Sequence, residues 1–276
     1  SDHGSITSAI RQSEPDEIYN LAAQSFVGAS FQQPILTADI TGLGVLRVLE
    51  AIKENAPDAK FYQASSSEMY GNYPGEKNEV SPFIPRSPYG AAKVFGHHIT
   101  NHYREAYNIF ACCGILFNHE SPLRGLEFVT RKITSTLARI KFKKTNVLKL
   151  GNINAKRDWG FAGDYVEAMW LMLQQKNPND YVISTGESHS VEEFLSLATE
   201  FCDLGDWHDF VEIDQAAMRP TDIEDLFGNS TKAQKELNWK PKISFRELVK
   251  MMVDHDVEYE KLYTNPLKFN KKPQGN

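Results

Sequence analysis

An α/β fold, a doubly wound parallel sheet with a smaller C-terminal lobe, is what the sequence predicts, and three observations predict it. Short apolar runs alternate with longer stretches of helical spacing, the pattern left by strands joined through crossover helices. A polar cluster stands just after each of the first three runs. Beyond Phe117 the strand-like runs shorten and helical spacing dominates.

The elements follow in order. The Pro15-Asp16-Glu17 turn opens a strand over Ile18-Tyr19-Asn20-Leu21-Ala22. Leu43 to Ile52 carries apolar residues at helical spacing. Lys60 to Ser65 reads as the second strand. Pro88 is pre-set for the first turn of a helix, where its missing N–H has no partner to lose, so a long helix is expected over Pro88 to Tyr107. Ile109 to Phe117 is a third, buried strand. The clusters Ala23-Gln24-Ser25, Ser66-Ser67-Glu68 and Asn118-His119-Glu120 follow these strands. Ligands of a doubly wound sheet sit beyond the carboxyl ends of its strands, so all three should face one crevice. Val147-Leu148-Lys149-Leu150 and Tyr181-Val182-Ile183 are further short strands. The chain is thereby expected to divide into 1–117, a dinucleotide-binding sheet domain, 118–264, mainly a substrate lobe interleaved with the sheet, and a flexible tail over 265–276.

Composition narrows the class. With 276 residues, 41% hydrophobic and 24% charged, the chain can bury a large core and is neither disordered nor fibrous. No apolar run approaches the roughly 20 residues that span a bilayer, and the start Ser1-Asp2-His3-Gly4-Ser5 lacks signal-peptide character. A cytoplasmic protein with no membrane partner is expected. Cys112, Cys113 and Cys202 are too few and too unevenly spaced for a disulfide framework or a zinc site, and read as small buried hydrophobes. A net charge of −6 with scattered basic residues argues against nucleic acid as a partner. One arginine in a pocket can hold a diphosphate whatever the net charge, so charge leaves the substrate open.

Tyr89 and Lys93 lie four apart on the expected helix, hence on one face, where an ammonium lowers the pKa of a phenol. A phenolate made in this way can take a hydroxyl proton as hydride leaves the same carbon. Spacing alone does not single the pair out, because Tyr73 and Lys77 match it inside a Pro-Gly loop. Context does. Ser65, Ser66 and Ser67 stand at a strand end about twenty residues earlier, where a hydroxyl can hydrogen-bond substrate, although turn chemistry is the ordinary account of one serine there. Glu68 adds a carboxylate that simple oxidation does not need. Serine, tyrosine and lysine in this order form the active site of a short-chain dehydrogenase. Other groupings read as bland. His97, His98 and His102 have helical spacing, yet no carboxylate or cysteine pattern joins them, so a solvated helix face and no metal are expected. Gly160-Phe161-Ala162-Gly163 is half a phosphate loop without its context, and Trp159 and Trp239 read as packing residues.

Seven strings now carry a resemblance: Ala22-Ala23-Gln24-Ser25, Ser65-Ser66-Ser67-Glu68, Arg86-Ser87-Pro88-Tyr89, Asn118-His119-Glu120-Ser121-Pro122, Phe128-Val129-Thr130-Arg131-Lys132, Arg157-Asp158-Trp159-Gly160 and Arg219-Pro220. In this order they resemble the GDP-mannose 4,6-dehydratases, extended short-chain dehydrogenase/reductase enzymes of Rossmann-like fold, from about Asp2 to Glu260. The resemblance implies an NADP-dependent hydro-lyase that turns GDP-mannose into GDP-4-dehydro-6-deoxymannose, acting as a homodimer or homotetramer. It implies Ser66 in place of the usual threonine, Glu68 as base, Tyr89 as phenol and Lys93 as its partner. It places Leu21, Ala22, Ala23, Gln24, Ser25, Lys93, His119 and Arg124 at the cofactor, with Arg124 on a loop that can reach a neighbouring subunit. It places Asn118, Lys132, Arg157, Arg219 and Asp222 at the GDP-sugar. Leu123 stands where the family often has a second arginine, and Leu36 where it has an aromatic residue. The rivals within the fold are a dTDP-glucose dehydratase, disfavoured because Ser67 stands where an aspartate is usual, and a 4-epimerase, which has no elimination for Glu68 to catalyse. A catalytically impaired scaffold is the rival from another class.

None of the 17 glycines forms the glycine-rich turn that holds a pyrophosphate at a helix N-terminus. The family pattern starts just before the strand at Ile18, about 50 to 70 residues late by the usual size of βαβ units. A first βαβ unit is therefore expected to be missing, and the natural protein to be longer. The connection over 201–218 also reads as shorter than the family's.

Overall fold

The computed structural model describes residues 2–215, 218 and 220–264, so Arg219 and the tail from residue 265 lie outside the described residues. In chain order the elements are α1 (His3–Ser13), β1 (Glu17–Asn20), α2 (Val27–Gln32), α3 (Pro34–Thr37), a π-helical turn (Ala38–Leu43), α4 (Gly44–Asn55), β2 (Lys60–Ser66) and a 3-10 turn (Ser67–Met69). Then come α5 (Pro88–Tyr107), β3 (Ala111–Leu116), β4 (Asn118–Glu120), α6 (Val129–Lys141), β5 (Leu148–Leu150), β6 (Lys156–Arg157), β7 (Trp159–Phe161) and α7 (Ala162–Leu173). The chain continues with β8 (Asp180–Ile183), β9 (His189–Ser190), α8 (Val191–Phe201), a 3-10 turn (Trp207–Asp209), β10 (Val211–Ile213), β11 (Asp225–Leu226), α9 (Thr231–Leu237) and α10 (Phe245–Thr264).

Four strands form a parallel sheet in the order β1-β2-β3-β8, with Ile18 opposite Phe61, Phe61 opposite Ala111 and Cys113 opposite Asp180. Successive side chains point to opposite faces. Phe61 and Ala111 therefore meet α1, α4 and α5 through Ile10, Val45, Leu49, Ile52 and Tyr103. Tyr62 and Cys112 meet α7 and α9 on the other side, through Tyr165, Ala168, Met172 and Leu237, with Trp239 beside them. Helices on both faces make the sheet doubly wound, and a strand buried on both faces reads as a continuous apolar run. Gly114 belongs to this packing, since a Cβ there would stand 2.3 Å from the Tyr62 hydroxyl oxygen.

Local signals account for most boundaries. Ser87 Oγ accepts the Gly90 N–H at 3.0 Å, Pro88 takes the first turn of α5, and Asn108 ends it in the left-handed region at φ 55°. The first strand stops at Asn20, not at Ala22 as the apolar pattern suggests; Leu21 and Ala22 have left the sheet and are exposed. The helix expected from Leu43 is α4, entered through a π-helical turn that hydrophobic spacing does not register.

The described residues fall into two compact units, one drawn from 1–119, 155–189 and 219–243, the other from 120–154, 190–218 and 244–276. The first holds the sheet. In the second, β5 pairs with β10, and Arg131 on α6 pairs with Asp256 on α10 at 2.7 Å, where Thr134 Oγ1 also donates at 2.6 Å. No described helix is long and apolar enough to cross a membrane.

Candidate active site

Parallel strands end at one edge, and β2 reaches that edge at Ser66. Its Oγ accepts the Glu68 N–H at 3.2 Å and so caps the 3-10 turn, which leaves Ser66 buried and Glu68 partly exposed. Helix α5 starts beside this turn with Tyr89 and Lys93 buried on its inner face. Gly90 is the point of closest approach. A Cβ there would lie 2.8 Å from the Glu68 carbonyl oxygen and 3.0 Å from Pro85 Cβ, so only glycine lets the helix sit this close. Backbone contact thus brings Ser66, Glu68, Tyr89 and Lys93 together.

Lys93 Nζ donates to the Ala64 carbonyl at 2.7 Å and lies 5.6 Å from the centroid of the Tyr89 ring. Burial of the ammonium lowers its pKa to about 8. Ala64 O also accepts from Gln63 Nε2 at 3.1 Å, and Gln63 Oε1 accepts from Asn20 Nδ2 at 2.8 Å. This buried amide pair joins β1 to β2 behind the lysine. Sequence reasoning missed it, although a glutamine and an asparagine inside apolar strands were the available signal.

Of the cofactor candidates, Leu21 to Ser25 leave the sheet at the level of Ala64, because Asn20 is opposite Gln63 and β2 runs three residues further. Leu21, Ala22 and Ser25 are exposed, Ala23 and Gln24 half-buried, and the Gln24 N–H is tied to Thr41 Oγ1 at 3.0 Å. Asn118 and His119 follow β3; His119 Nδ1 lies 2.9 Å from Phe117 O, and its ring stacks on Tyr165 with centroids 5.1 Å apart. These residues belong to the same unit as Ser66 and Tyr89.

Among the substrate candidates, Arg157 is buried on β6, with Nη1 bonded to Ile223 O at 2.7 Å and Nη2 paired with Asp222 Oδ1 at 3.0 Å. The structure brings these two together. The neighbouring Asp158 is a group the sequence motif contained but left without a role. Its carboxylate accepts from Thr185 N at 2.9 Å, Thr185 Oγ1 at 2.7 Å and Gly186 N at 2.9 Å, and burial pushes its pKa up to about 6. Arg124 and Lys132 lie in the second unit. The Arg124 guanidinium stands 3.5 Å over the Phe128 ring and 3.2 Å from Glu120, while Arg131 Nη1 holds the Arg124 carbonyl at 3.1 Å.

The histidines of α5 do not form one solvated face. His98 and His102 are exposed, but His97 falls on the inner face after Lys93 and is buried. There its ring meets Cys113 and Asp180, contributed by β3 and β8, with ligand-type atoms within 4.8 Å of one another. Helical spacing cannot register partners that arrive from other strands. Trp159 and Trp239 are both buried, and Lys77, outside any helix, is buried against Asp225 O at 3.1 Å.

Known proteins are similar to this chain over most of its length. Residues 1–252 match the family described as GDP-mannose 4,6 dehydratase. The chain is 56% identical over 252 residues to GDP-mannose 4,6 dehydratase 2 of Arabidopsis thaliana, covering 90% of this chain and 67% of that one. It is 48% identical over 282 residues to the GDP-mannose 4,6 dehydratase of Homo sapiens, covering 95% and 75%. In fold it is similar to the RMD of Pseudomonas aeruginosa complexed with NADPH, with a TM-score of 0.84, 22% identity and 93% and 86% of the two chains covered. It is likewise similar to the Thermus thermophilus UDP-glucose 4-epimerase complexed with NAD, with a TM-score of 0.82, 26% identity and 92% and 82% covered. On a family match across most of its length, and on relatives this similar, the chain belongs to the GDP-mannose 4,6 dehydratase family.

Proposed function

We propose that the chain catalyses its family's reaction, the dehydration of GDP-mannose to GDP-4-dehydro-6-deoxymannose, with NADP as cofactor and Ser66, Glu68, Tyr89 and Lys93 as the catalytic groups. The observation that supports this reading is the close approach of α5 to the Glu68 turn at Gly90, next to the Tyr89 and Lys93 that the short-chain dehydrogenase pattern requires. The donors suit a dinucleotide. Lys93 Nζ donates one hydrogen bond to the Ala64 carbonyl and has further N–H groups for hydroxyls, and the segment from Leu21 offers the small side chains of Ala22, Ala23 and Ser25.

The chemistry that NADP would supply, held by these residues, is reversible hydride transfer at C4 and C6 of the sugar. Tyr89 takes the proton of the 4-hydroxyl, with the Lys93 ammonium favouring its phenolate and Ser66 Oγ holding the same hydroxyl. The 4-keto group that results makes the C5 proton acidic. Glu68 takes that proton and delivers one to the departing 6-hydroxyl, which leaves as water. As C6 is reduced, C5 takes a proton equivalent to the one Tyr89 removed from the 4-hydroxyl, so both side chains return to their starting states and the sugar loses water with no net oxidation.

The same reading gives Leu21 to Ser25, His119 and Arg124 to the cofactor, and Asn118, Lys132, Arg157, Arg219 and Asp222 to the GDP-sugar. What supports the role of Arg157 is that its ion pair with Asp222 and its bond to Ile223 O fix the orientation of the guanidinium. A homodimer or homotetramer belongs to this reading too, supported by the exposed apolar residues Ile35, Leu43 and Phe95. Incubation with GDP-mannose and NADP, followed by mass analysis, tests the reaction. A product lighter by one water with no net NADPH is expected, and unchanged substrate or an isomer of equal mass would refute it.

A further inference from the structure

We propose that His97 is a positioning residue, fixing the end of β2 against α5 through Ser65 and so setting Ser66 relative to Tyr89. This rests on the reading above, in which Ser66 and Tyr89 act on the substrate. His97 is 5% exposed, and its Nδ1 lies 3.0 Å from Ser65 Oγ. Its Nε2 lies 3.3 Å from Asn101 Nδ2, and that amide also donates to Asp180 Oδ2 at 2.9 Å. Arg104 pairs with the other oxygen of Asp180 and donates from Nε to Ala111 O at 2.6 Å. An imidazole whose Nε2 accepts from an amide carries its proton on Nδ1 and donates it to the serine. Burial holds the ring pKa near 4, so this neutral tautomer persists at ordinary pH.

Lys93, His97, Asn101 and Arg104 share one face of α5 and reach, in turn, the Ala64 carbonyl, the Ser65 hydroxyl, the Asp180 carboxylate and the Ala111 carbonyl. Apolar packing lets a helix slide or turn slightly on a sheet; four directional bonds to three strands do not. Of the four, His97 grips the side chain next to Ser66. Cys113 and Asp180 could instead make this cluster a metal site. Its donors are already engaged, however: Asp180 carries Arg104, and Asn101 lies against both the imidazole and, at 3.6 Å, Cys113 Sγ.

The test uses the complete enzyme with His97→Leu, Ser65→Ala, the double variant and His97→Asn. Small misplacements of reacting groups cost up to about a hundredfold. We expect His97→Leu to lower kcat about ten- to a hundredfold, after correction for folded fraction, with KM for GDP-mannose within about twofold. The acidic limb of the pH profile should stay in place, because Tyr89 and Lys93 remain together on α5. Ser65→Ala should match this loss and the double variant should add nothing, as for residues acting through one bond. His97→Asn, which keeps a polar atom near the position of Nδ1, should recover to within about threefold. Normal kcat in His97→Leu, multiplying losses in the double variant, or an equivalent of bound zinc that His97→Leu removes would each overturn the proposal. If the unsubstituted enzyme dehydrates nothing, the functional reading has failed. Amide exchange at Ser65 and Ser66 then decides the proposal, faster exchange in His97→Leu upholding it and unchanged protection sinking it.

Discussion

Two side chains of the proposed site, Glu68 and Lys93, make different predictions. In the proposed mechanism Glu68 has work only in the elimination, so Glu68→Gln should leave GDP-mannose affinity nearly intact while turnover falls about a hundredfold or more. Steady-state kinetics beside calorimetric titration would show this, and near-normal turnover would remove Glu68 from the mechanism. Lys93 is an ammonium held where folding disfavours its charge, with a pKa lowered from 10.5 to about 8. Between those two values the unfolded chain binds more protons than the native one, so the contribution of this group to stability rises with pH across that window. Below pH 8 both states are protonated and the desolvation cost is constant. Lys93→Met keeps the stem without the charge. It should be more stable than the parent near neutrality by about 1–3 kcal/mol, with the advantage shrinking toward pH 10, while activity disappears. Urea unfolding at about pH 7 and about pH 9.5 checks this, and an equal difference at both would mean the ammonium is not desolvated.

At the scale of elements, the proposed mechanism requires the close approach of α5 to the Glu68 turn. Gly90→Ala would set a methyl 2.8 Å from Glu68 O and 3.0 Å from Pro85 Cβ, and the Glu68 side of that contact is backbone that cannot step aside. The expected result is a stability loss of about 1–3 kcal/mol, typical of overpacking, with kcat falling further than the melting temperature alone would suggest. Full kcat in the folded variant would mean that the contact is incidental. This element was legible in the sequence to the residue: Pro88 sets its first turn, the expected span of Pro88 to Tyr107 is the observed one, and Tyr89 and Lys93, four apart, are both buried on it. The strands were legible as apolar runs because both faces of the sheet are covered. What lay out of reach were features made by tertiary partners. Asn20 with Gln63, His97 with Asp180, and Asp158 with Thr185 each join residues far apart in sequence, and no local period encodes such a pair. The substrate roles proposed for Asn118 and Asp222 come only from likeness to a family, since an asparagine and an aspartate in isolation have many uses.

For the whole molecule, the sequence suggests a domain ending at Phe117, and a fragment cut there tests what completes the sheet. Tyr62, Cys112 and Leu116 would lose their cover, because Tyr165, Ala168, Met169 and Met172 of α7 and Leu237 of α9 all come from later in the chain. The same cut removes β8, whose Tyr181 and Val182 pair with Gly114 and Ile115 of β3. An open strand edge and a bare apolar face are together a recipe for association. Residues 1–117 alone should therefore aggregate or remain without cooperative unfolding. A chain carrying 1–243, which includes every segment of the first unit, should regain a cooperative transition in that unit. Asp158→Ala in the complete chain probes the same closure from within. It strips the carboxylate from the backbone N–H groups of Thr185 and Gly186 and should cost about 1–3 kcal/mol, the range for leaving buried donors unsatisfied. Circular dichroism and urea titration of the three proteins decide the matter. A monomeric 1–117 fragment that melts cooperatively would show that the early strands and their first-face helices are a domain in their own right, with α7 and α9 an addition to it.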